Sequence, residues 1–154
     1  MQTDDGVVGA TSFVSLDEAN NFYRSHLYDD YWNTMSDDLK MRALNSATLF
    51  LNSSYIFKGI PKDREQRLQF PRRIPGYYID GTCTSNYIIP EEVKKATILF
   101  AENLSRSKNK FVDNATANIS ESKLGELETK FSGRVNPIVP HYIYRIIRSL
   151  VDCG

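Results

Sequence analysis

Pro61, Pro71, Pro75, Gly76 and Gly81 punctuate residues 58–89 and forbid a long helix through the middle of this chain. Proline removes a backbone donor and clashes with the preceding turn, and glycine gives up the most backbone freedom on ordering. Gly59 and Pro61 also end any helix arriving from the N-terminal side. The apolar residues on both flanks follow a helical period. The chain therefore reads as helices on either side of a long ordered loop, and a loop of that length inside a compact domain is usually functional.

The flanking helices carry their own start signals. Ser15-Leu-Asp-Glu18 is a capping box, followed by Leu16, Ala19, Phe22, Tyr23 and Leu27 on one helical face. Ser36 caps a second helix that runs through Leu39, Ala43, Leu44, Ala47 and Leu51 to about Ser54, with Asp37 and Asp38 at the positive end of its dipole. Pro90-Glu91-Glu92 opens a third. Its stripe is Val93, Ala96, Thr97, Phe100, Ala101 and Leu104; Ile98 and Leu99 lie off it, which predicts a helix covered on more than one side. Ser105 to Ala117 reads as a polar connector. Within Ile119–Val135, Leu127, Thr129 and Phe131 alternate with Glu126, Glu128 and Lys130 as in a strand. Val139, Tyr142, Ile143, Ile146, Ile147 and Leu150 stripe a C-terminal helix over 138–151, with Tyr144, Arg145 and Arg148 off the stripe. The predicted fold is one mainly α domain over 1–154. It is a bundle of about four helices with a Pro-rich loop, a short β-hairpin or strand, and residues 1–11 as a flexible arm.

The loop begins with the most unusual segment. Tyr55 to Arg73 holds Lys58, Lys62, Arg64, Arg67, Arg72 and Arg73 against Asp63 and Glu65, a balance of 6 − 2 = +4, with Tyr55, Phe57 and Phe70 interleaved. Met1 to Asp38 is the opposite, with eight carboxylates against Arg24, 1 − 8 = −7. Complementary poles suit head-to-tail association of identical subunits, although solvated faces are the commoner explanation of a charge run. The basic segment has three readings: a protein interface anchored by Arg and aromatics, a single-stranded nucleic-acid site with bases stacked on the aromatics, or a loop with aromatics turned inward and charges in water.

Chemistry is sparse. No phosphate-binding glycine loop, zinc spacing or nucleophile–base pattern is present, and His26 and His141 have no partner pattern. These absences argue against an enzyme, a metal site and a cofactor. Asp37-Asp38 is better explained by helix capping than by metal binding. Trp32, with Tyr28 and Tyr31, reads as a cluster packed between helices ahead of a base-stacking site. Cys83 and Cys153 form no scaffold and fit a reducing compartment. Neither a signal peptide nor a membrane span is predicted.

The order of these segments resembles a known family. Phe13-Val-Ser-Leu-Asp-Glu-Ala-Asn-Asn-Phe-Tyr23, Trp32, Lys40 to Leu51, Tyr55-x-Phe-Lys-Gly59, Gln66-Arg-Leu-Gln-Phe-Pro-Arg72, Ile89 to Thr97 and Lys123-Leu-Gly-Glu-Leu-Glu128 follow one another. Together they resemble the small head-completion, or head–tail connector (adaptor), proteins of tailed bacteriophages. Members often carry the label DnaT-like single-stranded-DNA-binding protein. This chain differs in having Phe70 where tryptophan is usual before the Pro-Arg pair, and in its longer connector from Ser105 to Ala117.

The resemblance implies a structural virion protein at the neck. It would be made in the host cytoplasm and assembled as a homo-oligomeric ring of about twelve copies under the portal protein. Such a ring extends the DNA channel, touches DNA through phosphates alone, and presents a surface to the next neck or tail protein. On that reading Tyr142, Tyr144, Arg145 and Arg148 are the portal-contact candidates. Lys62, Arg64, Arg67, Arg72 and Arg73 are candidates for inter-subunit or channel-facing roles. Leu124, Leu127, Thr129 and Phe131 are candidates for touching a neighbour or the tail. The alternative is a replication accessory protein that binds single-stranded DNA, with Phe57 and Phe70 as its stacking residues.

Overall fold

The computed structural model describes residues 11–121 and 139–152, with backbone alone over 107–121. Among these residues the chain is mainly α. Helices α1 (Leu16–Ser25), α2 (Tyr31–Thr34) and α3 (Asp37–Ser54) precede the loop. Strands β1 (Ile60–Pro61), β2 (Arg72–Arg73), β3 (Tyr78–Ile79) and β4 (Thr82–Cys83) lie within it, and α4 (Glu91–Glu121) and α5 (His141–Ile147) follow. The two antiparallel pairs, β1 with β2 and β3 with β4, form separate two-stranded sheets.

The start signals act as expected. Ser15 N–H donates to Glu18 Oε2 at 2.7 Å while Glu18 N–H donates to Ser15 Oγ at 3.1 Å, so both halves of the capping box are closed. Ser36 Oγ accepts from Leu39 N–H. α3 packs along α4, and α5 packs on α4. Leu44 and Leu51 of α3, Val93 and Phe100 of α4, and Ile143 and Ile147 of α5 are all fully buried in this seam. Ile98 and Leu99 are buried as well, so α4 is covered on more than one side. Phe13 and Val14 enter the same core, held where Phe13 N–H donates to Thr48 Oγ1 at 3.1 Å.

Three sequence expectations change. Leu27 does not share the α1 face. Ser25 Oγ donates to Asn21 O and His26 Nδ1 donates to Phe22 O, which satisfies the last carbonyls and ends the helix at Ser25. Leu27 is left fully exposed. Ser105 to Ala117 is not a connector: α4 runs through it to Glu121, because Pro90 to Lys123 contains no glycine and no further proline to stop the helix. Ile119, expected at the start of a strand, lies in the same helix. Leu124, Leu127, Thr129 and Phe131 lie outside the described residues.

Trp32 is fully buried between helices, as its core reading predicts. Its ring stacks on Tyr23 at 4.9 Å, and its Nε1–H donates to Asn20 Oδ1 at 2.9 Å. Lys40, 7% exposed, donates to the same oxygen at 3.2 Å.

Candidate functional site

The loop leaves α3 through a knot built by one side chain. Gln69 Nε2–H donates to Asn52 O at 2.6 Å and Tyr55 O at 2.5 Å, and its Oε1 accepts from Phe57 N–H at 2.9 Å. Asn52 Oδ1 accepts from Gln69 N–H at 2.7 Å. A glutamine with every polar atom used cross-braces both ends of the segment.

That brace fixes which way the aromatics point. Phe57 and Phe70 are each 1% exposed. Their ring centroids are 4.8 Å apart, and Phe13 meets Phe70 edge-on at 5.5 Å. Tyr55 is half-buried under Tyr144, 5.7 Å away. The expectation that Phe57 and Phe70 offer stacking surfaces is therefore corrected: both are interior packing. Phe70 fills the position where a tryptophan is usual.

The basic residues divide. Arg72 is half-buried and turned into the loop. Its Nε–H, Nη1–H and Nη2–H donate to Lys58 O at 3.1 Å, Gln69 O at 3.2 Å and Gly59 O at 2.7 Å. Burial lowers its pKa from the ordinary value, and the carbonyl dipoles still suit its cation. Arg72 N–H and C=O also pair with Ile88 at 3.0 Å each. This guanidinium closes the loop on itself. Lys62, Arg64, Arg67 and Arg73 are exposed. Arg73 lies opposite Ile60 in the β1–β2 register and sits 5.7 Å over the exposed ring of Tyr87.

The charge poles are also less alike than the sequence suggests. Lys94 pairs with Glu18 at 2.7 Å, and Arg106 pairs with Asp29 and Glu102. Lys40 and Arg42 lie within 4 Å of Asp37 and Asp38. The acidic end is thus matched inside the subunit. Among the described residues, Arg64, Arg67 and Arg73 enter none of the six ion pairs. Asp63, which could have offset them, caps its own turn by accepting from Glu65 N–H at 2.9 Å. The outward basic charge of the loop is uncompensated by its fold.

The C-terminal candidates split in the same way. Ile143, Ile147, Leu150 and Val151 are buried, and Phe57 bridges Val151 as a strand neighbour. Lys58 N–H donates to Leu150 O at 2.8 Å, and Asp152 N–H to Ile56 O at 2.7 Å. The apolar face expected to dock on another protein is covered by the subunit's own core. Tyr144 stacks on Tyr55, while Tyr142, Arg145 and Arg148 face outward. Tyr142, expected on the buried stripe, is 48% exposed. Burial of the rest of its ring and the Glu102 charge raise its pKa.

The second sheet adds a feature the sequence did not flag. β3 and β4 form a hairpin with Asp80 (φ 49°) and Gly81 (φ 78°) at the turn, the paired positive φ of a type I′ connection. Tyr78 and Ile79 stand exposed on it. An Asp-Gly dipeptide between Tyr-Ile and Thr-Cys was the available signal. No group of three or more metal-ligating side chains is clustered among the described residues, and no described helix is long and apolar enough to cross a membrane.

A small, mainly α subunit with an outward basic loop over an aromatic interior has the build of a binding or assembly protein. Residues 1–154 match the family described as "Putative DnaT-like ssDNA binding protein". The chain belongs to that family, whose description names a binding activity and no enzymatic one. No curated protein and no solved structure gives a significant match.

Proposed function

We propose that this protein is a head–tail connector subunit. On this reading copies assemble as a ring beneath the portal of a filled bacteriophage capsid, extend the DNA channel and provide the surface for the next neck or tail protein. The observation that carries the proposal is the division of the 55–73 loop: Phe57 and Phe70 are interior, while Arg64, Arg67 and Arg73 face outward without carboxylate partners. Such a surface meets phosphates or a neighbour's carboxylates by charge and offers no stack for unpaired bases. The order of motifs shared with connector proteins over residues 12–151 supports it.

Tyr142, Arg145 and Arg148 form the portal-facing set in this proposal, with Tyr144 holding α5 against Tyr55. Lys62, Arg64, Arg67 and Arg73 take the channel or inter-subunit role, and Arg72 keeps the loop in shape.

Quantitative mass spectrometry of purified DNA-filled virions tests the proposal. The expected result is this chain at the copy number of the portal protein; its absence from virions overturns the connector reading. The family description favours a second reading, single-stranded-DNA binding. There the exposed Arg73–Tyr87 pair and Tyr78, rather than Phe57 and Phe70, would meet the strand.

A further inference from the structure

A groove runs between α3 and the basic loop, lined by Thr11, Asn45, Ser46, Leu49, Arg67 and Leu68. Three features make it more than a surface dent. Leu49 is 61% exposed on a helix whose other leucines, Leu44 and Leu51, are fully covered. Asn45 Oδ1 is buried and accepts no hydrogen bond, although a buried polar atom left unsatisfied costs about 1–3 kcal/mol. Arg67 stands at the groove outside every ion pair among the described residues.

These three groups define a complementary ligand. It supplies a backbone N–H to Asn45, a small apolar side chain over Leu49 and Leu68, and a carboxylate to Arg67. An extended acidic–apolar peptide has all three, spaced by the ~3.3 Å rise of a strand. The sequence Thr3-Asp-Asp-Gly-Val-Val-Gly9 of this same chain offers that chemistry, with Asp4 and Asp5 beside Val7 and Val8. Thr11 is already part of the groove wall, and Ser12 to Val14 turn inward to Thr48. The groove is therefore open to a chain arriving from elsewhere.

We infer that the groove formed by Asn45, Leu49 and Arg67 captures the N-terminal segment around Asp4–Val8 of a second copy. The inference rests on the ring reading for its supply of neighbouring copies, and its test is independent of virions.

With Cys83 and Cys153 both replaced by serine, the full chain carrying V7C and S46C is oxidised and run without reductant. Disulfide-linked dimers and longer ladders are expected. Adding R67E, which turns the attracting charge into a repelling one, is expected to slow that cross-linking about tenfold, the equivalent of about 1.4 kcal/mol. A disulfide within single chains overturns the second-copy occupant. No cross-link, or cross-linking at the same rate with R67E, overturns the groove as the docking site. A cross-linked ladder from a protein absent from virions would leave this inference standing while the connector reading fell.

Discussion

Gly59 shows how one residue without a side chain sets the loop. Its φ of +95° lies in the left-handed region, and a Cβ there would stand 2.3 Å from Arg73 O. The glycine lets the β1 strand approach β2 closely enough for Arg72 to reach the Gly59 carbonyl. Gly59→Ala combines backbone strain with a clash against main chain that has no rotamer to move. We expect a loss of about 3 kcal/mol and a fall in Tm of roughly 6–12 °C by calorimetry. An unchanged Tm would mean that the β1–β2 pair contributes nothing to stability. Glu18 gives the residue scale a pH signature. Burial by itself raises its carboxyl pKa, but the hydrogen bonds from Lys94 and the Ser15 backbone outweigh that and hold it below the ordinary value. Because the folded pKa is the lower one, its stabilisation is present above about pH 4.3 and is lost as pH falls through the folded value. Glu18→Gln should cost no more than about 1 kcal/mol at pH 7, since the pair is partly solvated. The gap from the parent should close below about pH 4 in denaturant titrations; a gap constant from pH 7 to pH 3 would rule out this linkage.

Elements announced by local chemistry were legible in the sequence; those fixed by tertiary contact were not. The Ser15 and Ser36 caps and the Pro90 start each act within four residues, so reading along the chain finds them. The full burial of α4 was visible because Ile98 and Leu99 fill the face opposite its stripe. Phe57 and Phe70 had no such signal. They sit in an aperiodic segment, where nothing but the Gln69 brace and the cis Phe70–Pro71 peptide bond records which side is interior. Arg72 was read as one of a basic set because its three carbonyl acceptors are assembled only by the folded loop. α5 is the clearest case for experiment. Its stripe was correctly apolar, yet the face belongs to the subunit's own core. Deleting residues 139–154 would uncover Leu44, Phe57 and Phe100 neighbours and is expected to give aggregated protein, which says nothing about docking. Arg145→Glu with Arg148→Glu changes exposed charge alone. On the connector reading the double variant should keep its Tm within about 2 °C, because surface substitutions change stability little, and fail to join purified portals in sedimentation assays. Normal joining would remove α5 from the portal contact.

At the scale of the molecule, the two readings differ in what the basic loop can do with DNA. A subunit whose acids are internally matched and whose loop arginines are not will attract any polyanion, so affinity alone does not separate a channel wall from a dedicated strand binder. Salt dependence and aromatic dependence do. Each phosphate neutralised on a single strand contributes about 0.7 to the slope of log K against log salt. Changing Arg64, Arg67 and Arg73 together to Gln should therefore flatten that slope by about 2 in anisotropy titrations with labelled oligothymidine. Phe70→Leu keeps the interior filled and should leave both slope and affinity as they were, because the ring is sealed from any base. Tyr87→Ala is the deciding variant. Its ring is 40% exposed with Arg73 above it, the one printed cation–ring pair in the described loop. A base stacked there is worth about 1–3 kcal/mol, and its loss would cost roughly 5- to 150-fold in affinity. A channel-lining subunit that touches phosphates alone loses nothing. Retained affinity in Tyr87→Ala, with the slope still falling in the arginine triple variant, is the outcome expected for the connector; a large loss at Tyr87 would shift the assignment to single-strand binding on the Arg73 face.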